Sequence, residues 1–297
     1  MTDVPSDVRA LALEREEKRK TKDYQAADDL RDRIREQGFE VVDTPTGTEF
    51  ESIEPSKLSH ADVEAVLDAR PVVDFSVQWV VQGWPEDAVR GIESFQRNAG
   101  GRSVQYVVVD AAAPERFSWP DGVEVVALER DFGWAELRNA GLRRATGRMV
   151  VVVDGSVEAD GDVFGPLESA LGDPGIGVCG PFGIVTDDLR EFRESDGPEV
   201  DAIEGYLMAF RHDVLTPAGL FDEKFKFYRS ADIEFSFRVK NEGLRAVVVP
   251  VPLRRHEHRM WASTAPEERD RLSKRNFYRF LDRWRGRTDL TVAGGSG

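Results

Sequence analysis

Two aspartates follow apolar, strand-like runs, where acidic side chains could bind a ligand. The valine run at 150–153 suits a strand buried on both faces, and it stops at Asp154. The run VQYVVV at 104–109 likewise stops at Asp110. Because ligands bind beyond the carboxyl ends of strands in open α/β sheets, the two carboxylates could hold a nucleoside, one on base or ribose hydroxyls and one near a metal. The alternative is that each aspartate only begins a turn.

Apolar β-rich runs alternate with helical patterns from residue 72 onward, which indicates βαβ units. Strands are predicted at 74–81, 104–109, 123–128, 149–153, 176–180, 204–210 and 244–250. Helices are predicted at 86–98, 134–145, 230–241 and 266–285, with a shorter one at 59–69 that begins after Ser59. The pattern predicts an α/β fold with a mostly parallel sheet flanked by helices.

Composition narrows the classes of function. The 297 residues allow one large α/β domain with an appendage, and the net charge of −15 argues against broad binding to nucleic acid or anionic membranes. A single cysteine, Cys179, excludes a disulfide framework and a cysteine-rich zinc site. No signal core or long apolar stretch is seen, so we expect a cytoplasmic protein whose membrane association, if any, is peripheral and through a partner.

The N-terminal segment differs from the rest in its density of charge. Its helical pattern at 7–37 bends at KTKD, and Gly38 is expected to end the second helix. The predicted organisation is a charged helical hairpin with an extended turn at 1–57, a linker with a short helix at 58–71, the α/β domain at 72–285, and a disordered tail at 286–297.

The string LRNAGLRRATGRMVVVVDGSVEAD, residues 137–160, resembles the core of the family 2 glycosyltransferases, which have the GT-A fold. In that family an arginine-asparagine-x-glycine helix precedes a strand that ends in an Asp-x-Asp motif. The likeness continues through 204–250 and through RRHEHRMW and KRNFYRFLDRW, residues 254–261 and 274–284, and so covers about 72–285. The resemblance implies a nucleotide-sugar donor, a divalent metal (Mg²⁺ or Mn²⁺), and inverting transfer to a glycan, lipid or small-molecule acceptor.

Each family role falls on a matching position of this chain. Asp110 resembles the aspartate that contacts the base, Arg138 the arginine of the base and ribose pocket, and Asp154 the first carboxylate of Asp-x-Asp, near ribose and metal. Asp232 resembles the general base of the "ED" motif, and His256 the late histidine that ligates the metal or touches the diphosphate. A base must take the proton of the acceptor hydroxyl, and positive charge must stabilise the departing diphosphate.

The motifs also depart from the family pattern. Ser156 stands in place of the second acidic residue of Asp-x-Asp, and Ala231 in place of the glutamate before Asp232. A neutral hydroxyl is a poorer ligand for a hard dication than a carboxylate is. The departures leave open whether the metal site supports turnover.

Nearby charges offer replacements for the lost ligand. Glu158 or Asp160 could take its place, or could be solvated loop charges. Arg254 and Arg255 could meet the diphosphate directly and make the site less dependent on metal. Of the two histidines in the string HEH, only one is expected to face the site, and the resemblance favours His256 over His258.

Residues 10–50 resemble the extreme C-terminal segment of cysteinyl-tRNA synthetases, a charged helical pair followed by an Asp-Thr-Pro-x-Gly-Thr turn. The synthetase's catalytic signatures and zinc cysteines are missing, which argues against aminoacylation. We expect a docking or oligomerisation element through residues 7–50. RNA contact is the alternative, through the basic residues Arg15, Lys18, Arg19, Lys20 and Lys22.

Three hypotheses of function follow, and they belong to different classes. The first is a glycosyltransferase. The second is a scaffold that binds nucleotide sugar without turnover, which Ser156 and Ala231 favour. The third is an RNA- or tRNA-associated protein, which the net charge disfavours.

Overall fold

The computed structural model describes residues 4–37, 39–44, 47–52, 58–111, 117–128 and 133–295. It divides the chain into two compact units, residues 1–57 and residues 58–297. The expected helix stop at Gly38 and the proline of the synthetase-like turn, Pro45, lie outside the described residues.

The first unit is the expected helical hairpin followed by a β-hairpin. Its elements are α1 (Ser6–Lys20), α2 (Tyr24–Glu36), β1 (Phe39–Thr44) and β2 (Gly47–Ser52), with β1 and β2 antiparallel. Apolar side chains spaced along both helices meet the first β-strand in a small core of Val8, Leu11, Ala12, Leu30, Ile34, Phe39 and Val41. A core of this size is built from one stripe of each helix.

Most of the cations considered for RNA contact are already paired within this unit. Arg15 is buried and donates two hydrogen bonds of 2.9 Å to the Asp43 carboxylate, which Arg19 also contacts. These hydrogen bonds, chiefly from Arg15, lower the pKa of Asp43 to about 2. Lys18 and Lys20 pair with acidic side chains of the same helical hairpin. The docking role of residues 7–50 stays a prediction.

The second unit is built on an eight-stranded sheet with two small satellite sheets. Its strands are β3 (Val73–Val81), β4 (Val104–Asp110), β5 (Val123–Ala127), β6 (Gly147–Val153), β7 (Val157–Ala159), β8 (Ile176–Gly180), β9 (Gly183–Val185), β10 (Arg193–Ser195), β11 (Glu199–Val200), β12 (Ala202–Ile203), β13 (Leu207–Arg211), β14 (Arg245–Val248) and β15 (Leu253–Arg255). The order in the large sheet is β11-β14-β8-β13-β6-β3-β4-β5.

The large sheet is mixed. One block of it is parallel and consists of β6, β3, β4 and β5, in that order. Strand β14 also runs parallel to its neighbour β8. Strand β13 is antiparallel to both β6 and β8, and β11 is antiparallel to β14. The parallel block is what the strand–helix alternation predicts, whereas the central antiparallel strand is not visible in that alternation.

Helices cover both faces of the sheet. They are α3 (Pro85–Arg97), α4 (Trp134–Arg143), α5 (Phe164–Leu171), α6 (Leu215–Ala218), α7 (Ala231–Asn241), α8 (Arg259–Ser263) and α9 (Pro266–Trp284). The valine run of β6 is fully buried because its side chains alternate between the faces. Val150 and Val152 join the core under α4, α7 and α9, while Val151 and Val153 join the core under α3 and α5.

Two segments differ from the sequence-based expectation. Residues 59–69 hold only a single 3₁₀ turn at His60–Asp62, because Leu58 pairs with Leu128 and the Val66 amide donates to the Arg143 carbonyl instead of to a helix of its own. The tail expected to be disordered is packed through residue 295, where Thr291 is buried and the Val292 amide donates to Asp201. No helix within the described residues is long and apolar enough to cross a membrane.

Candidate active site

Asp154 and Asp232 are brought to the same edge of the sheet by the turn that enters β13. The Asp154 amide, just after β6, donates to the Tyr206 carbonyl at 2.9 Å. The amide of Gly205 donates to Asp232 Oδ2 at 2.8 Å. Because β13 runs antiparallel to β6, its start lies beside the end of β6, and residues 205 and 206 bridge the two aspartates.

Asp154 is an ionised carboxylate held by three donors. Its Oδ2 lies 3.4 Å from His258 Nε2, and its Oδ1 accepts from the Ser156 amide at 2.9 Å and the Ser156 hydroxyl at 2.5 Å. Burial alone would raise the pKa of Asp154, but His258 and Ser156 outweigh it and hold that pKa at about 2. Burial would lower the pKa of His258, but Asp154 reverses this and raises it. The pair is therefore electrostatically coupled.

The structure places His258, not the expected His256, beside Asp154. His256 Nε2 lies 2.7 Å from Glu158 Oε2 on the two-stranded ribbon formed by β7 and β15. The extended strand ends at Arg255 and the chain turns into α8, whose N-cap is His258. The string HEH does not predict this turn. The turn directs the side chain of His258 toward Asp154, at the site.

The two carboxylates considered as replacement metal ligands are engaged elsewhere. Glu158 pairs with His256, which lowers the pKa of Glu158. Asp160 pairs with Arg254 at 3.3 Å, on the same ribbon. The Ser156 hydroxyl instead donates to Asp154 and so orients that carboxylate.

Asp232 lies next to a second carboxyl group, Glu204, that the sequence analysis missed. Asp232 Oδ1 accepts from the Ile233 amide at 2.9 Å at the start of α7, after a left-handed turn at Ser230. Burial raises the pKa of Asp232 despite its backbone hydrogen bonds and the charge of Arg229. Burial, and then the charge of Asp232, raise the pKa of Glu204 to about 7. A carboxyl group with a raised pKa is suited to proton transfer near neutrality.

Glu204→Gln should stabilise the protein at alkaline pH. In the unfolded chain the carboxyl regains its ordinary, lower pKa, so between that value and about 7 the folded state binds more protons. Stability therefore falls as pH rises through this window, by on the order of 3 kcal/mol for the full shift. The measurement is thermal unfolding of variant and wild type near pH 5 and near pH 8. We expect the variant's Tm advantage to be larger near pH 8.

The matched control for this prediction is Glu199→Gln, on the exposed edge strand β11. That variant should differ little from wild type at either pH. An equal effect of Glu204→Gln at both pH values would show that the Glu204 carboxyl does not titrate between them.

Arg138 is a buried side chain that binds backbone carbonyls of two neighbouring strands, β6 and β3. It is 2% exposed, and its guanidinium donates to the Val153 carbonyl at 3.0 Å and the Gln78 carbonyl at 3.4 Å. Burial lowers its pKa to about 10, although the charge of Asp154 acts in the opposite direction. The sequence analysis expects Arg138 in the base and ribose pocket. In the structure its side chain is too deeply buried to present its donors to a ligand.

Asp110 lies at the end of β4, opposite Val81 of β3. Strand β3 separates it from β6, so Asp110 and the strand bearing Asp154 are about 10 Å apart. Arg255 is exposed and stacks on the Tyr206 ring, with 4.1 Å from its guanidinium carbon to the ring centroid. The sheet edge thus carries Asp110, Asp154 and Asp232 together, with Arg255 close to the bridging turn.

A cleft opens at this edge. Its lining comes from the end of β3, the start of α3, residues 154–156 and residues 257–260. Asp154, Ser156 and His258 all face it. A larger cleft is lined by residues near Lys240 and Thr291, and among its described lining residues there is no histidine and no strand-end aspartate of the predicted site. The smaller cleft is therefore the better candidate.

The donor types at Asp154 and His258 fit a divalent cation. A carboxylate and an imidazole are common ligands of Mn²⁺, and ligand atoms 3.4 Å apart can share one ion. His258 Nδ1 accepts from the Trp261 amide at 3.0 Å, so in the neutral imidazole Nε2 carries the proton. Coordination through Nε2 would displace that proton and cost the Trp261 amide its acceptor.

A second group of side chains that could ligate a metal lies at α4. Ligand atoms of His60, Glu136 and Glu223 lie within 4.8 Å of one another. Lys226 Nζ is 2.5 Å from Glu136, and Arg143 is 3.4 Å from Glu223, so these cations already neutralise both carboxylates. We interpret this group as an ion-pair cluster.

Comparison with known proteins agrees with this architecture. Residues 106–233 match the profile of the family described as Glycosyl transferase family 2. A search of curated proteins found no significant match. Among solved structures, the chain is similar to GalNAc-T7 with UDP, GalNAc and Mn²⁺, at 15% identity and a TM-score of 0.58, covering 73% of this chain and 49% of that one. The chain thus spans about half the length of GalNAc-T7.

It is also similar to the mannosyltransferase PcManGT from Pyrobaculum calidifontis, in complex with GDP-Man and Mn²⁺. The identity is 18% and the TM-score 0.50, covering 73% of this chain and 72% of that one. At such identities the likeness establishes the fold. Together with the matched profile it leads to one conclusion: the second unit has the GT-A fold, and its residues 106–233 are similar to the family 2 glycosyltransferases.

Proposed function

We propose that the chain transfers a sugar from a nucleoside-diphosphate donor to an acceptor hydroxyl, with inversion at the anomeric carbon. The observation that carries this proposal is the convergence at one sheet edge of the ionised Asp154, which lies beside His258, and a second carboxylate, Asp232, whose pKa is raised. The first arrangement suits the donor's diphosphate end, and the second suits deprotonation of a hydroxyl.

On the donor side, the nucleoside lies across the ends of β3, β4 and β6, with Asp110 on the base. Asp154 and His258 would hold a divalent cation, Mg²⁺ or Mn²⁺, which would neutralise charge on the diphosphate leaving group. Arg255 adds a cation from the ribbon, while Arg254 remains engaged with Asp160. Arg138 keeps the ends of β3 and β6 together, so that Asp154 has a fixed position.

On the acceptor side, Asp232 is the general base. It takes the proton of the acceptor hydroxyl while that oxygen forms a bond to the anomeric carbon, and the bond from that carbon to the diphosphate oxygen breaks. The α7 helix that carries Asp232 is fixed to α9 by the buried Glu234, which pairs with Arg238 at 2.9 Å and Arg283 at 2.8 Å. A rigid support of this kind is what a positioned base requires.

The test is release of nucleoside diphosphate from a panel of UDP- and GDP-sugars by the full chain with Mn²⁺. The panel is run with and without glycan, lipid and small-molecule acceptors. Release that depends on one donor and is accelerated by an acceptor supports transfer. No release from any donor, under conditions where the nucleotide binds, contradicts it.

Nucleotide binding without release of nucleoside diphosphate from any donor would favour a nucleotide-binding scaffold. The observation behind this alternative is Ser156, whose hydroxyl takes the place of a carboxylate and is hydrogen-bonded to Asp154. Such a site offers a cation one charged ligand fewer than a site with both carboxylates of an Asp-x-Asp motif. Binding without turnover is the result that distinguishes the scaffold from the enzyme.

A further inference from the structure

Three arginines beside the candidate site stack on aromatic rings. The guanidinium carbons of Arg229 and Arg269 lie 5.4 Å and 4.2 Å from the ring centroid of Trp261. Arg255 lies 4.1 Å from that of Tyr206. Within the described part of the chain, none of the three forms an ion pair with a carboxylate, although most arginines in this unit do.

Unpaired cations are unexpected in this protein. The chain has 55 acidic residues against 40 basic ones, so carboxylates are in excess. A guanidinium whose face rests on a ring keeps its N–H edge available, and that edge matches a carboxylate, sulfate or phosphate. The cluster of Arg229, Trp261 and Arg269 therefore presents a flat apolar surface next to anion-binding edges.

The cluster begins where the acceptor of the proposed reaction must enter. Arg229 lies three residues before Asp232, and its charge acts on that carboxyl. The Tyr228 ring is 4.8 Å from the His258 ring and 6.4 Å from the Trp261 ring, so a continuous row of rings leads from the cleft to the cluster. Trp261 itself is 37% exposed.

The backbone that presents Arg229 is fixed. Buried Asn276, on α9, donates to the Phe227 carbonyl at 2.6 Å and the Arg229 carbonyl at 2.9 Å. Arg269 donates to the Trp261 carbonyl at 3.1 Å, which ties α9 to α8. Both arginines are thus supported by the same helix, α9, and their separation is set by the fold.

We infer that Arg229, Trp261 and Arg269 form an acceptor subsite for a saccharide that carries an anionic group. The ring packs against the sugar, and the two arginines bind its carboxylate, sulfate or phosphate. This inference rests on the proposed function, because only a transferase gives the bound saccharide the role of acceptor. It adds what the fold alone does not supply, a charge requirement on the acceptor.

The experiment is calorimetric titration of the full chain with trigalacturonic acid, a sulfated disaccharide and glucose 6-phosphate, with maltotriose as the neutral probe. The three anionic probes distinguish carboxylate, sulfate and phosphate. We expect at least one of them to bind more tightly than maltotriose. The double variant Arg229→Ala/Arg269→Ala should lose at least about tenfold in affinity for that probe, because two charge-assisted contacts disappear.

Arg271→Ala is the matched control, since Arg271 lies on the same helix but pairs with Glu268 at the surface. It should bind the probe like wild type. Equal affinity for the neutral and anionic probes, no binding of any anionic probe at millimolar concentration, or an unaffected double variant would overturn the inference.

Titration of the same samples with UDP and GDP in the presence of Mn²⁺ separates the two proposals. If the anionic probe binds through the arginines but no nucleotide binds, the anion site stands and the proposed transfer fails. If nucleotide binds and the arginines prove irrelevant to the probes, the transferase proposal stands and the subsite is wrong.

Discussion

Asp232→Asn should lower the rate of sugar transfer by about 10²–10⁴-fold, the usual contribution of a general base. The amide has nearly the same shape as the carboxylate but cannot take the proton of the attacking hydroxyl. Affinity for the nucleotide should hardly change, because the proposed role of Asp232 is toward the acceptor and not toward the nucleotide. The measurements are initial rates at saturating donor and the dissociation constant of the nucleoside diphosphate, each on variant and wild type.

Glu242→Gln is the control for this prediction, because Glu242 is an exposed carboxylate at the other end of α7. It should leave both quantities unchanged. A thermal unfolding curve for Asp232→Asn is needed as well, since an asparagine oxygen cannot accept from the Gly205 and Ile233 amides in the way two carboxylate oxygens do. Equal losses of transfer rate and nucleotide affinity would contradict the base assignment.

Asp154→Asn should weaken Mn²⁺-dependent nucleotide binding by about 100-fold or more, since even residues that only support a metal ligand contribute 10–100-fold. The variant removes a charge that is present throughout the neutral range, because the pKa of Asp154 is about 2. The measurement is nucleotide affinity as a function of Mn²⁺ concentration.

Two histidine variants sharpen this second prediction. His258→Ala should reduce the Mn²⁺ dependence, because His258 Nε2 faces Asp154. His256→Ala is its matched control, since His256 faces Glu158 instead and should leave the dependence intact. The reverse result, loss with His256→Ala and none with His258→Ala, would restore the sequence-based choice of histidine and refute the geometric one.

The elements that the sequence predicts well are those with a strong local pattern. The valine run of β6 and the alternation of strands with helices from 72 onward identify the parallel block of the sheet, and strand ends identify Asp110 and Asp154. The predicted strand at 204–210 begins three residues before β13, which starts at Leu207. In the structure, residues 204–206 form the turn that brings Asp154 and Asp232 together.

What the sequence could not supply depends on long-range pairing. The choice between His256 and His258 is decided by where β15 ends against β7, which no local spacing encodes. The raised pKa of Glu204 depends on its burial and then on the charge of Asp232, which is 28 positions away in the chain. The segment at 59–69 has a helical pattern, yet its Val66 amide donates to the Arg143 carbonyl of α4, and the preceding Leu58 amide donates to the Ala127 carbonyl of β5, so tertiary contacts override local propensity.

The most direct test of the account is calorimetric titration of the full chain with nucleoside diphosphates, with and without Mn²⁺. The account predicts that one nucleoside diphosphate binds, that Mn²⁺ strengthens the binding, and that Asp154→Asn removes this strengthening. Absence of binding by every nucleoside diphosphate, or binding that is indifferent to both Mn²⁺ and Asp154, would contradict it.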